Sequence, residues 1–419
     1  MSDHKLKPLL SLPVIVAALG YFVDIYDLLL FSIVRRASLL SLGVTGDELL
    51  NIGEGLLRIQ MLGLLVGGLL WGIMGDKRGR LSVLFGSILL YSLANIANGF
   101  VHTVEQYAWL RFIAGVGLAG ELGAGITLVL ETLPKDIRGY GATIVATFGL
   151  MGAVVANFVT KAAMPHWEIA YFIGGGLGLL LLIARASVFE SGIFIKSKEK
   201  DVRRGNMLSL FTNWNRFVRF MGCIFIGLPI WYAIGILVTF SPEFAKAMGV
   251  AGEVNAGDAV MISYIGLAVG DMASGIASQL LKSRKKIVSL FILITLAAVL
   301  LYLFSPVRTV SFFYLTCFTL GFGIGYWVLF VTVAAEQFGT NLRSTVATSI
   351  PNFIRGTVIP LTLAFKFLRE WIGGMTHDAG KGIVFGALIV GVVTVIIAFI
   401  ALRAIEETFG KDLNYEESD

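Results

Sequence analysis

The chain has 419 residues, of which 56% are hydrophobic and only 15% are charged, and its formal net charge is +5. A soluble domain carries about 25% charged residues because it needs a wetted surface. This composition therefore excludes a water-soluble globule of this size. Nucleic acid is not an expected partner either, since the basic residues are spread over short segments between apolar runs.

The apolar runs are long, and a helix that crosses a bilayer needs about 20 apolar residues. They are continuous rather than alternating with period two, which favours an all-α polytopic membrane protein over a barrel. The first run lacks a small-residue cleavage site, so we expect a permanent span there rather than a signal peptide. We predict twelve spans, at 12–34, 55–74, 81–100, 105–130, 139–162, 168–188, 217–241, 256–281, 287–305, 309–335, 345–368 and 383–403.

Basic residues are distributed unequally between the two sides of these spans. With the N-terminus inside, about nineteen fall on the cytoplasmic side and about seven on the other. The seven are Arg35, Arg36, Lys161, Lys246, Arg308, Arg369 and Lys381. This asymmetry predicts a multi-pass protein of the inner (cytoplasmic) membrane with both termini in the cytoplasm.

A charged segment near the chain midpoint predicts two six-helix halves. We expect an N-terminal bundle at 1–188, a cytoplasmic linker at 189–216, a C-terminal bundle at 217–403 and a tail at 404–419. An internal repeat agrees, because Glu131–Arg138 closes span four and Glu336–Arg343 closes span ten, 205 residues later. Two charged pairs at equal spacing make chance similarity between apolar runs the weaker explanation. Duplicated six-helix units are typical of transporters whose central site opens alternately to each side.

The segment between spans two and three reads Gly72-Ile-Met-Gly-Asp76-Lys77-Arg78-Gly79-Arg80. Gly79 permits a tight turn with positive φ. The segment resembles the signature loop of the major facilitator superfamily, G-x-x-x-D-[RK]-x-G-R. The resemblance implies twelve helices in two pseudo-symmetric bundles, the major facilitator fold, and a latch between the halves; the alternative is a basic loop without a special role. The latch residues would be Gly72, Asp76, Lys77, Gly79, Arg80, Glu131, Arg138, Glu336 and Arg343.

The second copy of this loop departs from the pattern. Leu281 stands where the first copy has its acid, and Arg284 stands where it has glycine. We therefore expect a one-sided latch.

Several ionisable residues lie inside the predicted spans of the first half. Arg111 costs roughly 2.5–3.5 kcal/mol on insertion scales unless it finds water or an acid. It would contact substrate or form a structural ion pair. Asp24 and Asp27 are three residues apart and so share a helix face; with Glu121 they are candidates for proton coupling. The alternative is that one aspartate only neutralises Arg111.

The second half contributes Asp271 on span eight and Arg355 on span eleven. Arg355 follows Pro351 and precedes Gly356, so we expect an irregular stretch there. The arginine would bind a substrate carboxylate or pair with Asp271. Aromatic residues either line the same cavity or pack elsewhere: Tyr26, Trp231, Tyr232, Tyr326 and Trp327.

Five further stretches resemble one branch of the superfamily, the metabolite:proton symporters. Val23–Leu28 is similar to E-W-Y-D-F, Gly120–Ala124 to G-E-W-G-G, Trp167–Tyr171 to W-R-x-x-F, Glu190–Phe194 to E-S-P-x-F and Glu336–Arg343 to E-x-F-P-T-x-x-R. The departures are Glu168 for arginine and Gly192 and Gly339 for proline. The resemblance implies an organic acid, betaine or aromatic acid carried with protons.

The leading hypothesis is a monomeric secondary transporter that imports a small anionic or zwitterionic metabolite with protons. A proton-driven exporter is the alternative, since the same carboxylates serve antiport. A non-transporting sensor is disfavoured because no soluble signalling domain is appended. No phosphate loop, HExxH or Cys/His cluster is present, so we expect no enzyme activity, no cofactor and no metal.

Overall fold

The computed structural model describes residues 11–46, 48–78, 80–121, 133, 138–190 and 209–410. Its first helices are α1 (Leu12–Ser41), α2 (Glu48–Arg78), α3 (Arg80–Asn98), α4 (Val104–Leu118), α5 (Arg138–Ala163), α6 (Glu168–Glu190), α7 (Ser209–Thr212), α8 (Trp214–Ile226) and α9 (Leu228–Tyr232). After a π-helix at Ala233–Val238 follow α10 (Ser241–Ala247), α11 (Ala256–Leu280), α12 (Arg284–Phe304), α13 (Val310–Gly323), α14 (Trp327–Glu336), α15 (Thr340–Gly356), α16 (Val358–Thr376) and α17 (Ala379–Ala404).

The described helices overlap the predicted spans, although residues 122–130 of span four lie outside the described residues and spans seven and ten each consist of shorter helices. Within the part of the chain that the structure describes, nine helical stretches are long and apolar enough to cross a bilayer. Their outward faces carry large exposed apolar side chains such as Ile183, Leu280 and Ile400, which a bilayer covers. Span eleven differs from the prediction: it is longer than 345–368 and consists of α15 and α16, which are separated at Thr357. The irregular stretch expected near Arg355 is this break.

The repeat found in the sequence is visible in the backbone. Helix α4 ends at Leu118 and α13 ends at Gly323, positions that are 205 residues apart. After the second break the chain turns through Ile324–Tyr326 and resumes as α14. Spans four and ten are therefore interrupted at equivalent places.

Small residues bring equivalent helix pairs into backbone contact in the two halves. A methyl group at any of four glycines would overlap a carbonyl oxygen of the facing helix. Gly63 faces the carbonyl oxygen of Phe112, and Gly67 faces that of Val116. Gly266 faces the carbonyl oxygen of Phe318, and Gly270 faces that of Phe322. The first two join α2 to α4 and the last two join α11 to α13, so the pairing of spans two and four is repeated by spans eight and ten.

The borders of the halves fall partly outside the described residues. Residues 191–208 of the predicted linker and residues 411–419 of the predicted tail are not among them. The short helix α7 lies within the predicted linker. The domain boundaries stay predictions.

Candidate functional site

Helix α15 carries two polar side chains that reach across to the N-terminal half. Asn352 Nδ2 donates to the Ala119 carbonyl oxygen at 2.8 Å, next to the break of span four. Three residues later, Arg355 Nη2 lies 3.4 Å from Asp24 Oδ2 on α1. Because residues three apart share a helix face, this face of α15 forms the polar seam between the halves.

The Arg355–Asp24 pair is buried and only partly satisfied. Both side chains are buried, with exposed fractions of 1% and 0%. Arg355 Nε and Nη1 and Asp24 Oδ1 find no hydrogen-bond partner among the described residues. The guanidinium also faces the Trp231 ring, 5.8 Å from its centroid. A single 3.4 Å contact leaves much of the bonding capacity of both groups unused, which is costly in a buried site.

A small cavity adjoins this pair. Its lining is Tyr21, Ile25, Leu150, Ile230, Trp231, Ile234, Tyr264, Leu267, Trp327 and Arg355. Its volume is ≈ 20 Å³, which is room for about one water molecule. The halves are therefore closed around Arg355, with aromatic rings from both of them forming the walls.

The second aspartate of α1 turns away from this cavity. A methyl group at Gly174 of α6 would overlap the Asp27 carboxylate, and the adjacent Tyr26 hydroxyl donates to the Ala170 carbonyl oxygen at 2.9 Å. Neither oxygen of Asp27 accepts a hydrogen bond among the described residues. Asp24 therefore faces the C-terminal half, whereas Asp27 and Tyr26 lie inside the N-terminal bundle.

Arg111 is bound within the N-terminal bundle. Its Nη2 donates to Asn95 Oδ1 at 2.5 Å and its Nε to Asn98 Oδ1 at 3.3 Å. The guanidinium lies 4.8 Å from the centre of the Tyr171 ring. Asp27 lies near enough to interact electrostatically with Arg111. The described residues form no salt bridge to this arginine. Arg111 thus has asparagine and aromatic partners, and the structure places it away from the cavity lining.

Glu121 has a partner that the sequence did not suggest. Arg185 of α6 donates from both terminal nitrogens to the two Glu121 oxygens, and both side chains are 1% exposed. A methyl group at Gly20 of α1 would overlap both charged groups, so this glycine makes room for the pair. Arg185 was detectable as a lone charge in the apolar run of span six.

Asp271 does not pair with Arg355. Its Oδ1 accepts the Val328 backbone N–H at 3.1 Å, at the first turn of α14. The neighbouring Tyr326 hydroxyl donates to the Ile226 carbonyl oxygen at 3.1 Å, while Trp327 lines the cavity. Of the two alternatives for Arg355, pairing with Asp271 is therefore wrong.

Ion pairs join the halves at the end of the molecule where α1 ends and α2 begins, here called the α1–α2 end. Arg35 Nη2 lies 2.8 Å from both Glu243 oxygens. Two more ion pairs are Arg369 with Glu54 at 2.7 Å and Lys161 with Asp258 at 2.5 Å, and Arg369 also donates a hydrogen bond to Asn51 Oδ1 at 2.8 Å. We call these side chains the clasp. From the sequence alone, Arg35, Lys161 and Arg369 counted only as basic residues on the non-cytoplasmic side.

The predicted latch lies at the opposite end and is largely outside the described residues. Gly79 and Glu131 are outside them, as are the side chains of Asp76, Lys77, Arg80, Arg138 and Arg343. Gly72 lies in α2, and Glu336, the last residue of α14, forms an ion pair with Arg284.

The second copy of the loop obtains a carboxylate from the C-terminal segment. Glu407 accepts hydrogen bonds from the Ser283 hydroxyl and, at 3.1 Å each, from the Arg284 and Lys285 backbone N–H groups. These donors lie at the start of α12. Burial alone would raise the pKa of Glu407, but the hydrogen bonds to its charged form outweigh this effect and lower the pKa to about 2. The loop copy that lost its own acid at Leu281 is therefore supplied with one.

Among the described residues, no group of three or more His, Cys, Asp or Glu side chains is arranged to hold a metal ion.

Comparison with known proteins agrees with this architecture. The sequence pattern of the Major Facilitator Superfamily matches residues 13–359. The niacin transporter NiaP of Acinetobacter baylyi is 24% identical over 78% of this chain and 80% of that protein. The sialic acid transporter NanX of Escherichia coli is 26% identical over 61% of this chain and 64% of that protein. The solved proton:xylose symporter XylE superposes with a TM-score of 0.69 and 16% identity over 98% of both chains, which shows a shared fold.

Proposed function

This chain belongs to the major facilitator superfamily of membrane transporters, and from that premise we propose that it imports a small aromatic monocarboxylate together with a proton. It works as a monomer in the inner membrane with both termini in the cytoplasm. The distribution of basic residues supports that orientation, which places the α1–α2 end outside the cell.

The observation that carries the proposal is the Arg355–Asp24 contact beside an aromatic cavity between the halves. Arg355 is a buried cation that needs an anion, and Asp24 supplies it through one 3.4 Å contact. A planar guanidinium binds a carboxylate best through two parallel hydrogen bonds. Its unused Nε and Nη1 donors suit the carboxylate of a solute that enters the cavity.

This arrangement suggests how a proton and a solute are coupled. When Asp24 takes up a proton, Arg355 loses its anion and binds the solute carboxylate instead. When the solute leaves, Asp24 releases its proton and neutralises Arg355 again. The buried site then holds one positive and one negative charge in both loaded and empty states, which avoids an unpaired charge in a low-dielectric region. Asp27, beside Arg111, is a second proton carrier on this account, whereas the Glu121–Arg185 pair is structural.

The cavity walls favour an aromatic body on the solute. Apart from Arg355, the lining side chains are aliphatic or aromatic, and the polar atoms they add are two phenol hydroxyls and two indole N–H groups. A flat ring stacks well on Trp231 and Trp327. A polyhydroxylated acid would bury hydroxyl groups without partners, which costs roughly 1–3 kcal/mol each in proteins. The two similar transporters named above carry names of carboxylic acids, of which niacin is the aromatic one.

Entry of such a solute requires the halves to separate. The present cavity of ≈ 20 Å³ is smaller than any aromatic acid. The clasp closes the α1–α2 end, so on this account its ion pairs break when the site opens to the outside.

A ligand pair that differs only in charge tests the proposal. We expect nicotinate and benzoate to raise the thermal unfolding temperature of the purified protein, and nicotinamide and N-acetylneuraminate to leave it unchanged. Arg355→Gln should abolish the nicotinate shift, whereas Arg36→Gln, at an exposed arginine of α1, should preserve it. Equal stabilisation by nicotinate and nicotinamide would refute recognition of a carboxylate.

A further inference from the structure

Asp271 is a partly buried carboxylate that the coupling scheme does not use. No basic side chain pairs with it among the described residues, and its Oδ2 has no hydrogen-bond partner there. Its Oδ1 accepts the Val328 N–H at 3.1 Å, and the Trp327 backbone N–H also points at this carboxylate. The group is therefore tied to backbone rather than to a cation.

The Val328 N–H lies at the start of α14, where backbone N–H groups need acceptors from outside the helix. The first four N–H groups of an α-helix have no partner within it. Tyr326, at the capping position of α14, makes no side-chain cap. Asp271, on α11, acts as the cap instead, because its Oδ1 accepts the Val328 N–H.

The position of this helix start is fixed from a second direction. Gly325 in the break packs directly on Gly270, since a methyl group at Gly325 would overlap the backbone of Gly270 and Asp271. Asp271, which caps α14, and Gly270, against which Gly325 packs, are therefore adjacent residues of α11. Together they determine where α14 begins.

The first residue of α14 is Trp327, which forms a wall of the cavity that contains Arg355. Val328, which donates to Asp271, is the next residue. We propose that Asp271 is a positioning residue: through the Val328 amide it holds the start of α14 and so sets the Trp327 wall that selects the ring of the solute. This role rests on the proposed transport of an aromatic acid.

Two substitutions separate positioning from charge. Asparagine keeps an oxygen that accepts the Val328 N–H, whereas alanine does not. We expect Asp271→Ala to raise the KM for benzoate about fivefold, the ratio that corresponds to loss of one helix cap, and to lessen the preference for benzoate over the two-ring acid 2-naphthoate. Asp271→Asn should keep both values close to wild type. Met272→Ala, at a lipid-facing neighbour on α11, is the matched control.

Hydrogen–deuterium exchange of residues 324–331 measures the cap without any solute. Exchange should be faster in Asp271→Ala and unchanged in Asp271→Asn, whether or not the protein carries aromatic acids, so the cap is tested even if the proposed substrate is wrong. If asparagine and alanine impair transport and exchange equally, the charge of Asp271 matters and the positioning role is refuted. Unchanged exchange and selectivity in Asp271→Ala would refute it as well.

Discussion

Arg355 and Asp24 are 331 residues apart in the chain, yet they form a 3.4 Å contact across the seam between the two halves. Both are buried, so each removes the cost of an isolated charge in the other. Each also keeps donors or acceptors that the contact leaves unused. The contact joins the two halves, and its unused hydrogen-bonding groups allow a ligand carboxylate to replace Asp24 as the partner of Arg355.

Removing the guanidinium should abolish high-affinity binding of the solute. Arg355→Gln deletes a charge-assisted contact worth about 1.5–3 kcal/mol, so we expect the Kd for nicotinate to rise roughly 10- to 100-fold. Arg355→Lys should recover part of this affinity, because it keeps the charge but not the planar pair of donors. Equilibrium binding to protein in nanodiscs measures the change, with Arg36→Gln as control. Wild-type affinity in Arg355→Gln would place the solute elsewhere.

Replacing Asp24 by asparagine should separate solute exchange from proton movement. The neutral amide mimics the protonated acid, so Arg355 stays free for the solute while no proton is carried. We expect counterflow exchange of labelled nicotinate to continue, and accumulation driven by a pH gradient to disappear, in vesicles containing Asp24→Asn. Accumulation at the wild-type level would show that Asp24 carries no proton.

Breaking the clasp should expose the cavity from the outer side. Truncating one partner of a buried ion pair costs about 3–5 kcal/mol, so Arg35→Glu should shift the protein toward the outward-open state. A cysteine placed at Ile25 reports this, because the two native cysteines are buried and react little. We expect faster labelling by a membrane-impermeant maleimide from outside.

Charge reversal supplies the control for the clasp. Adding Glu243→Arg to Arg35→Glu restores an opposite-charge pair and should bring labelling back toward the wild-type rate. Lys246→Gln, at an exposed lysine on the same end, should not change it. Labelling that stays slow in Arg35→Glu would mean that this pair does not hold the outer end closed.

The Glu407 cap should make stability depend on acid pH. Its pKa is lowered from 4.5 to about 2, so its stabilisation is complete above pH 4.5 and is lost as the pH falls toward 2. We expect Glu407→Ala to unfold at a lower temperature than wild type at pH 7, with a deficit of about 1 kcal/mol for the missing helix cap. The gap should narrow as the pH falls through that window. Glu253→Ala, at an exposed loop residue, should show neither effect.

The sequence predicted the features that depend on local periodicity and on the internal repeat. Apolar run length gave the helices, and the 205-residue offset anticipated the matching ends of α4 and α13. Composition around Arg355 also indicated the break at Thr357, since Pro351 and Gly356 both weaken a helix. These signals need no knowledge of how helices pack.

What the sequence could not predict depends on the rotation and contacts of helices. Side chains three residues apart on an α-helix point in directions that differ by about 60°. Because α1 lies at the seam, this difference directs Asp24 toward the C-terminal half and Asp27 into the N-terminal bundle. The clasp joins residues 208 and 315 positions apart, and each was an ordinary loop charge in sequence. Arg185 and Glu407 acquire their partners in the same way, from helices that only the fold brings near.

The most direct test of proton-coupled carboxylate import is the pH inside proteoliposomes that contain the protein and a trapped pH indicator. With no initial pH or voltage gradient, external nicotinate should acidify the lumen in wild type, and nicotinamide should not. Asp24→Asn should abolish the acidification while solute exchange continues. Nicotinate uptake without any change of internal pH, or with alkalinisation, would contradict the exchange of Asp24 for the solute carboxylate at Arg355.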